Sequence, residues 1–224
     1  MKIIGHRGAA GLAPENTIKA VQAGIAAGAD AVEFDVRLTK DGVFVLSHDS
    51  TLLRVAGVSE LVRNLTHEQI RVVKTLDGEP IPTLDEALAV RGEATAIIEG
   101  KGSGWAKPLA EYLLKNNVTN FCVIAFNHAE LGILHELMPE AKCYALERQN
   151  AFKTIGTAHR LGLYGVDLNF WILNPFTYWF ARFNRIELAT YTIDTPGLMR
   201  WFACMYPRVA ITTNRPDILN KIKK

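Results

Sequence analysis

Short runs of β-branched and apolar residues alternate along the chain with stretches in which apolar positions recur every three or four residues. The short runs predict strands over residues 2–5, 31–38, 43–48, 94–99, 120–125, 143–146, 165–168, 188–193 and 209–212. The longer stretches predict amphipathic helices over 16–27, 105–115, 128–138, 151–161 and 196–205. Thr66-x-x-Gln69 and Thr83-x-x-Glu86 add two helix starts, each a capping box in which hydroxyl and side-chain oxygen satisfy reciprocal backbone N–H groups. Repeated βα units with no linker between them read as one α/β domain over 1–224 built on a parallel sheet, open or closed. The nine strands exceed by one the eight of a closed barrel. Only Thr39-Lys40-Asp41-Gly42 separates Leu38 from Val43, and a parallel crossover needs about a dozen residues, so these two strands form a hairpin. If Leu38 pairs with Val43, Glu33 falls opposite His48 across the ladder.

Polar residues gather where strands end. His6-Arg7 closes the first strand and His48-Asp49 closes the hairpin. Glu33 and Asp35 share one strand face while Val32, Phe34 and Val36 share the other. Glu99 and Lys101 repeat the same i, i+2 spacing. Each has a structural alternative. The carboxylate pair can face solvent on an edge strand, Glu99 and Lys101 can be a strand-end ion pair, and a lone histidine is commonly structural. Their coincidence at strand ends argues for one pocket. Three carboxylates sharing a pocket need a counter-charge, which a hard divalent cation on Glu33, Asp35 and Glu99 supplies; oxygen ligands suit Mg²⁺ or Ca²⁺. Arg7 and Lys101 beside such a cation make an anion site with phosphate as its natural ligand, leaving His6 and His48 to move protons.

Composition narrows the partners. With 25 Lys+Arg against 23 Asp+Glu the net charge is +2, which disfavours a nucleic-acid binder that relies on bulk electrostatics. No uncharged apolar stretch reaches a bilayer-spanning length and no targeting segment is visible, so a soluble cytoplasmic protein is expected. Cys122, Cys143 and Cys204 lie scattered in apolar runs and are expected to be buried hydrophobes. Nothing in the pattern fixes an oligomeric state.

The ordered set Gly5-His6-Arg7-Gly8, Pro14-Glu15-Asn16-Thr17, 28–36, Thr39-Lys40-Asp41-Gly42, His48-Asp49, 81–86 and Glu99-x-Lys101 resembles the glycerophosphodiester phosphodiesterase family. The resemblance covers residues 3 to 101. It implies a (β/α)8 TIM-like barrel with a hairpin irregularity at strands 2–3 and a small excursion over 50–82. It also implies metal-dependent hydrolysis of a small-molecule glycerophosphodiester to glycerol 3-phosphate and an alcohol. In that pattern the residues matching His6 and His48 are general acid and base, those matching Glu33, Asp35 and Glu99 hold the metal, and those matching Arg7 and Lys101 hold the phosphate. The reading takes His6 as base and His48 as acid, with the exchange of roles left open, and a lysophospholipase D-type activity as the alternative.

The second half departs from the pattern. Ala125-Phe126 stands where the family has Ser-Phe, Tyr191-Thr192-Ile193-Asp194 where it has Trp-Thr-Val-Asn, and Thr213-Asn214-Arg215-Pro216 where it has Thr-Asp-x-Pro. These departures are expected to bear on substrate identity and to leave the metal set and the acid–base pair untouched. Residues 170–183 hold seven aromatics in fourteen positions. They read either as a helix packed on the barrel with Pro175 in its first turn, or as an apolar pocket rim in contact with a membrane surface.

Overall fold

The computed structural model describes residues 1–223. In chain order its strands are β1 (Ile3–Gly5), β2 (Ala31–Leu38), β3 (Phe44–Leu46), β4 (Thr51–Leu52), β5 (Val58–Leu61), β6 (Thr95–Gly100), β7 (Phe121–Ala125), β8 (Lys142–Glu147), β9 (Gly165–Asn169), β10 (Glu187–Tyr191) and β11 (Ala210–Thr213). The order β1-β11-β10-β9-β8-β7-β6-β2, together with the pairing of β1 with β2, closes eight parallel strands into a (β/α)8 barrel. The ninth predicted strand, β3, lies antiparallel on β2.

Side-chain alternation divides the core into two. Val32, Phe34 and Val36 of β2 and Ala96 and Ile98 of β6 point outward into the layer under the helices. Ile4, Ala31, Ile97, Cys122, Ile124 and Leu146 fill the barrel interior. Glu33, Asp35 and Glu99 therefore belong to the interior-facing series, one layer above the apolar plug.

The hairpin register differs by one from the expected pairing. Leu38 lies opposite Phe44 and Val36 opposite Leu46, so Glu33 is not cross-strand to His48. The turn is the cause. Thr39 N–H donates to the Val43 carbonyl at 2.9 Å, Gly42 N–H closes the turn onto Thr39 O at 3.1 Å, and Gly42 takes φ +81°. Three residues rather than four form the loop, the geometry of a turn followed by a left-handed residue. A one-residue slip reverses side-chain faces. His48 still reaches the site, because β3 ends at Leu46 and His48 sits beyond the ladder.

The excursion carries a two-stranded sheet of β4 and β5, short helices over Leu53–Ala56 and His67–Arg71, and its own cluster of Val45, Leu52, Val62, Ile70 and Ile81. Both capping boxes form as expected, at Thr66 and Thr83. Cys122 and Cys143 are buried, whereas Cys204, contrary to expectation, is exposed because it falls on the outer face of the helix Pro196–Met205. Pro175 opens the helix Pro175–Phe183, whose Thr177 and Ala181 face the barrel while Phe176 and Phe183 are 80% and 85% exposed. Among the described residues no helix is long and apolar enough to cross a membrane.

Candidate active site

The C-terminal ends of the strands surround a cavity of about 380 Å³ lined by His6, Arg7, Glu33, His48, Glu99 and Lys101 on one side, and by Phe126, Arg148, Phe170 and Tyr191 on the other. The turn after β1 builds its first edge. Gly8 takes φ +85°, and a β-carbon there would lie 2.5 Å from the Ala20 carbonyl carbon, so only glycine lets this turn rest on the helix Ile18–Ala26. Thus seated, Gly8 N–H donates to the Glu33 carbonyl at 2.7 Å and Arg7 N–H to Glu33 Oε2 at 2.8 Å.

Glu33, Asp35 and Glu99 converge. One oxygen of each lies within 4.8 Å of the others, and all three residues are buried. Glu33 Oε1 is buried with no hydrogen-bond partner. Burial, then the charges of Asp35 and Glu99, push the Glu33 carboxyl well above the usual carboxylate range. Burial and Asp35 push Glu99 up to about 7. Burial opposes ionisation of Asp35 too, but Lys101, Arg7 and a hydrogen bond from Asn16 Nδ2 (2.8 Å) outweigh it and hold that carboxyl low. An orphaned carboxylate oxygen facing two other carboxylates fits a hard divalent cation, because such an ion supplies the charge and the ligand vacancy that Glu33 lacks. These three residues would hold it.

Lys101 Nζ contacts Asp35 Oδ1 at 2.9 Å and Glu99 Oε1 at 2.5 Å. The strand-end ion pair and the pocket lysine are therefore one arrangement. Asn16, at φ +55°, spans the site: its Oδ1 accepts the Asp35 N–H at 3.1 Å while its amide holds the Asp35 carboxylate. A left-handed non-glycine residue costs on the order of 1–2 kcal/mol, which these two hydrogen bonds offset.

The two imidazoles are backed differently. His6 Nδ1 lies 2.7 Å from Asn214 Oδ1. Asn214 Nδ2 donates to Asp194 Oδ2 at 2.6 Å, which turns the amide oxygen toward His6 and makes His6 Nδ1 the donor. Burial, followed by the Arg7 charge, lowers the His6 pKa. His48 Nδ1 lies 2.7 Å from Asp49 Oδ1. Burial lowers His48 as well, and the hydrogen bond to Asp49 opposes it. From Asp49 an ionic chain runs through Arg54 (2.6 Å) and Glu15 (2.7 Å) back to Arg7 (2.8 Å). The departure at Asn214 thus touches one of the two histidines directly, contrary to expectation: β11 ends at Thr213, beside β1, so the residue after each strand meets the other.

Six of the seven sequence-predicted residues line this cavity, and the seventh, Asp35, lies against them with a carboxylate oxygen within 4.8 Å of those of Glu33 and Glu99. Sequence reasoning missed the partners Asn214 and Asp194 and the buried Asp167. Burial, then the Glu99 charge, push the Asp167 carboxyl well above the usual range, and its Oδ1 has no partner. The polar pair Asp167 and Asn169, spaced i, i+2 in an apolar strand, is the signal that would have shown it.

A sequence profile described as the Glycerophosphoryl diester phosphodiesterase family matches residues 6–218. A glycerophosphodiester phosphodiesterase of Bacillus altitudinis is 32% identical over 65% of this chain and 66% of its own, so the match spans just under two thirds of that relative. One from Caldanaerobacter subterraneus subsp. tengcongensis is 26% identical over 99% of this chain and 98% of its own. The crystal structure of a glycerophosphodiester phosphodiesterase from Agrobacterium tumefaciens superposes with a TM-score of 0.85 at 26% identity, covering 100% of this chain and 99% of that one.

Proposed function

The chain belongs to the glycerophosphoryl diester phosphodiesterase family, and from that membership we propose that it hydrolyses glycerophosphodiesters to glycerol 3-phosphate and an alcohol, with His6 and His48 as base and acid. The observation that carries the reading is the flanking of the three-carboxylate cluster by two imidazoles, each with Nδ1 engaged and Nε2 therefore free to handle a proton at the pocket. When bound on Glu33, Asp35 and Glu99, Mg²⁺ or Ca²⁺ supplies positive charge to the phosphoryl oxygens. Arg7 and Lys101 add donors on the same side of the cavity, where charge develops in the transition state.

The backing groups support the division of labour. His48 is next to a carboxylate, which stabilises an imidazolium, so it suits the acid that protonates the leaving alkoxide. His6 faces a neutral amide and lies beside Arg7, so it stays neutral and suits the base. His6 Nε2 takes the proton from the nucleophile and His48 Nε2 delivers one to the departing oxygen; with water this gives glycerol 3-phosphate directly, and with the neighbouring glycerol hydroxyl it gives a cyclic phosphodiester that a water then opens, the two imidazoles acting in exchanged roles.

A second reading, lysophospholipid cleavage, is favoured by the aromatic rim. Phe170 lines the cavity and stacks on Trp171 at 4.7 Å, and Trp171 is 80% exposed at the head of a stripe that continues through Phe176, Trp179 and Phe183. Arg182 is engaged by Glu187 at 3.1 Å, which leaves Lys153, Arg185 and Arg200 as exposed cations on the neighbouring helices and turns. Rings interspersed with cations suit the surface of an anionic bilayer.

Release of glycerol 3-phosphate from glycerophosphocholine, compared with choline release from lysophosphatidylcholine, tests both. Preference for the water-soluble diester supports the first reading, and preference for the lysolipid promotes the second. Turnover of neither, nor of glycerophosphoethanolamine, contradicts the hydrolase reading. Co-sedimentation with anionic vesicles, lost in Trp179→Ala/Phe183→Ala, would add to the second reading.

A further inference from the structure

A second cavity of about 390 Å³ lies on the other side of Lys101, between the barrel and the excursion. Its walls include Arg37, Arg63, Ser50, Ser103 and Gly102, and no aspartate or glutamate lines it. Lys101 is common to this cavity and to the active-site cavity. Its charge is already engaged by Asp35 and Glu99, and Arg37 feels the charges of Asp35, Asp49 and Glu99, so the uncompensated positive charge of the second cavity comes above all from Arg63.

The cavity is built rather than incidental. Arg37 donates from Nε and Nη2 to the His48 carbonyl at 3.2 and 2.7 Å, which fixes its guanidinium and leaves Nη1 for the cavity. Gly102, at φ +82°, faces that nitrogen: a β-carbon there would lie 3.7 Å from Arg37 Nη1. Arg63 sits on the turn Val62–Asn64, anchored by the fully buried Val62. Val62 N–H donates to the Ser50 carbonyl at 2.9 Å, so the segments that carry Ser50 and Arg63 are held on one another. Two arginines and two serines line the cavity with no carboxylate among them, a lining that suits an anion. Arginine forks suit phosphate and carboxylate, and Arg63 is exposed at the cavity where an arriving anion can meet it.

The two arms of a phosphodiester leave phosphorus in different directions, and here a cavity opens on each side of Lys101. One is walled by Phe126, Phe170 and Tyr191, the other by arginines and serines. We propose that the second cavity is an anion subsite that receives a phosphate or carboxylate carried by the leaving alcohol. This inference rests on the hydrolase reading above. It gives the protein a preference for diesters with anionic head groups and makes it a poor enzyme for quaternary-ammonium ones, because the subsite repels a second cation.

The test compares kcat/KM for glycerophosphoinositol 4-phosphate and glycerophosphocholine in the wild type, Arg63→Ala and Arg63→Glu. Arg63 is chosen because Arg37 also positions His48. The wild type is expected to favour the phosphorylated head group by tenfold or more. Arg63→Ala should lower that ratio about tenfold and Arg63→Glu further, through slower turnover of the phosphorylated diester and faster turnover of glycerophosphocholine. Equal kcat/KM for the two substrates in the wild type, or a preference that survives both substitutions, overturns the subsite. If neither diester is turned over the hydrolase reading fails, and calorimetry with inorganic phosphate then decides the subsite by itself. Binding weakened tenfold or more by Arg63→Glu upholds an anion site, and unaltered binding removes it.

Discussion

Exchanging the two residues behind His6, in Asp194→Asn/Asn214→Asp, should move the acid limb of the pH profile upward. In the native site the carboxylate of Asp194 is one residue removed from the imidazole, and Asn214 stands between them at 2.7 Å from His6 and 2.6 Å from Asp194. Asn214→Asp alone would set two carboxylates side by side, and one of them would take up a proton. The exchange avoids this. The amide introduced at position 194 keeps an oxygen for the Thr213 hydroxyl and the backbone N–H of residue 214, which Asp194 now accepts at 2.9 and 2.7 Å, and offers its NH₂ to the carboxylate introduced at position 214. The hydrogen bonds are conserved and only the position of the charge changes. At about 4 Å and an effective dielectric constant of ~20, an imidazolium–carboxylate pair gains roughly 4 kcal/mol before desolvation. Burial of the pair takes back part of this, leaving about 1.5–3 kcal/mol, or roughly 1–2 pH units at 1.36 kcal/mol each. A base must be neutral to act, so a raised His6 pKa demands a higher pH. The acid limb of kcat/KM, which reports the free enzyme, should rise by that amount, so that activity well down the acid limb falls roughly 10–100-fold while activity at high pH is retained. Asp49→Asn is the counterpart: it removes the charge beside His48 and should lower the alkaline limb. An acid limb that stays in place, or an alkaline limb that moves in its stead, refutes the assignment of His6 as base.

Other outcomes follow from the same geometry. His6→Ala and His48→Ala should each lower kcat by roughly 10²–10⁴-fold in a steady-state assay, with thermal melting unchanged; near-native turnover would remove that histidine from the mechanism. Glu33→Gln keeps the shape and one oxygen but loses the charge, so calorimetric binding of Mg²⁺ or Ca²⁺ should be strongly weakened, and unaltered binding would count against ligation by Glu33. Asn16→Gly preserves the left-handed backbone but drops both hydrogen bonds to Asp35, and metal affinity should fall roughly 10–100-fold, as for other groups that orient a ligand. Asp167 has a raised folded-state pKa, so its contribution is present below its unfolded pKa and is lost as pH rises through the folded one. Asp167→Asn should therefore stabilise the protein in denaturant melts at pH 8 and not at pH 4; equal effects at both pH values would argue against a buried neutral carboxyl.

The barrel was legible because burial repeats with the strand period. Val32, Phe34 and Val36 announced one face of β2, and Glu33 and Asp35 the other. That Glu99 stands level with Asp35 comes from their register in the parallel pair of β2 and β6, which alternation within one strand does not show. The hairpin register was not legible to one residue, because it depends on whether Thr39 belongs to the loop or to its closing pair, and its backbone bond to Val43 decides that. The partners of the histidines divided in the same way. Asp49 adjoins His48 in sequence, so its proximity was readable, whereas Asn214 is 208 residues from His6 and reaches it only because closure of the barrel sets β11 beside β1. The aromatic run resolved into a helix with Thr177 and Ala181 inward, and composition alone could not say which rings would remain outside.

Phosphorus NMR of glycerophosphoethanolamine with the Mg²⁺- or Ca²⁺-loaded protein bears most directly on the central claim, that one cation site and two histidines at the mouth of this barrel cleave a glycerophosphodiester. The diester resonance should give way to that of glycerol 3-phosphate, stop on addition of chelator, resume when the cation is restored, and stay unchanged with His48→Ala. A diester signal that persists with the loaded wild type, or a monoester that accumulates equally in excess chelator, would contradict the account.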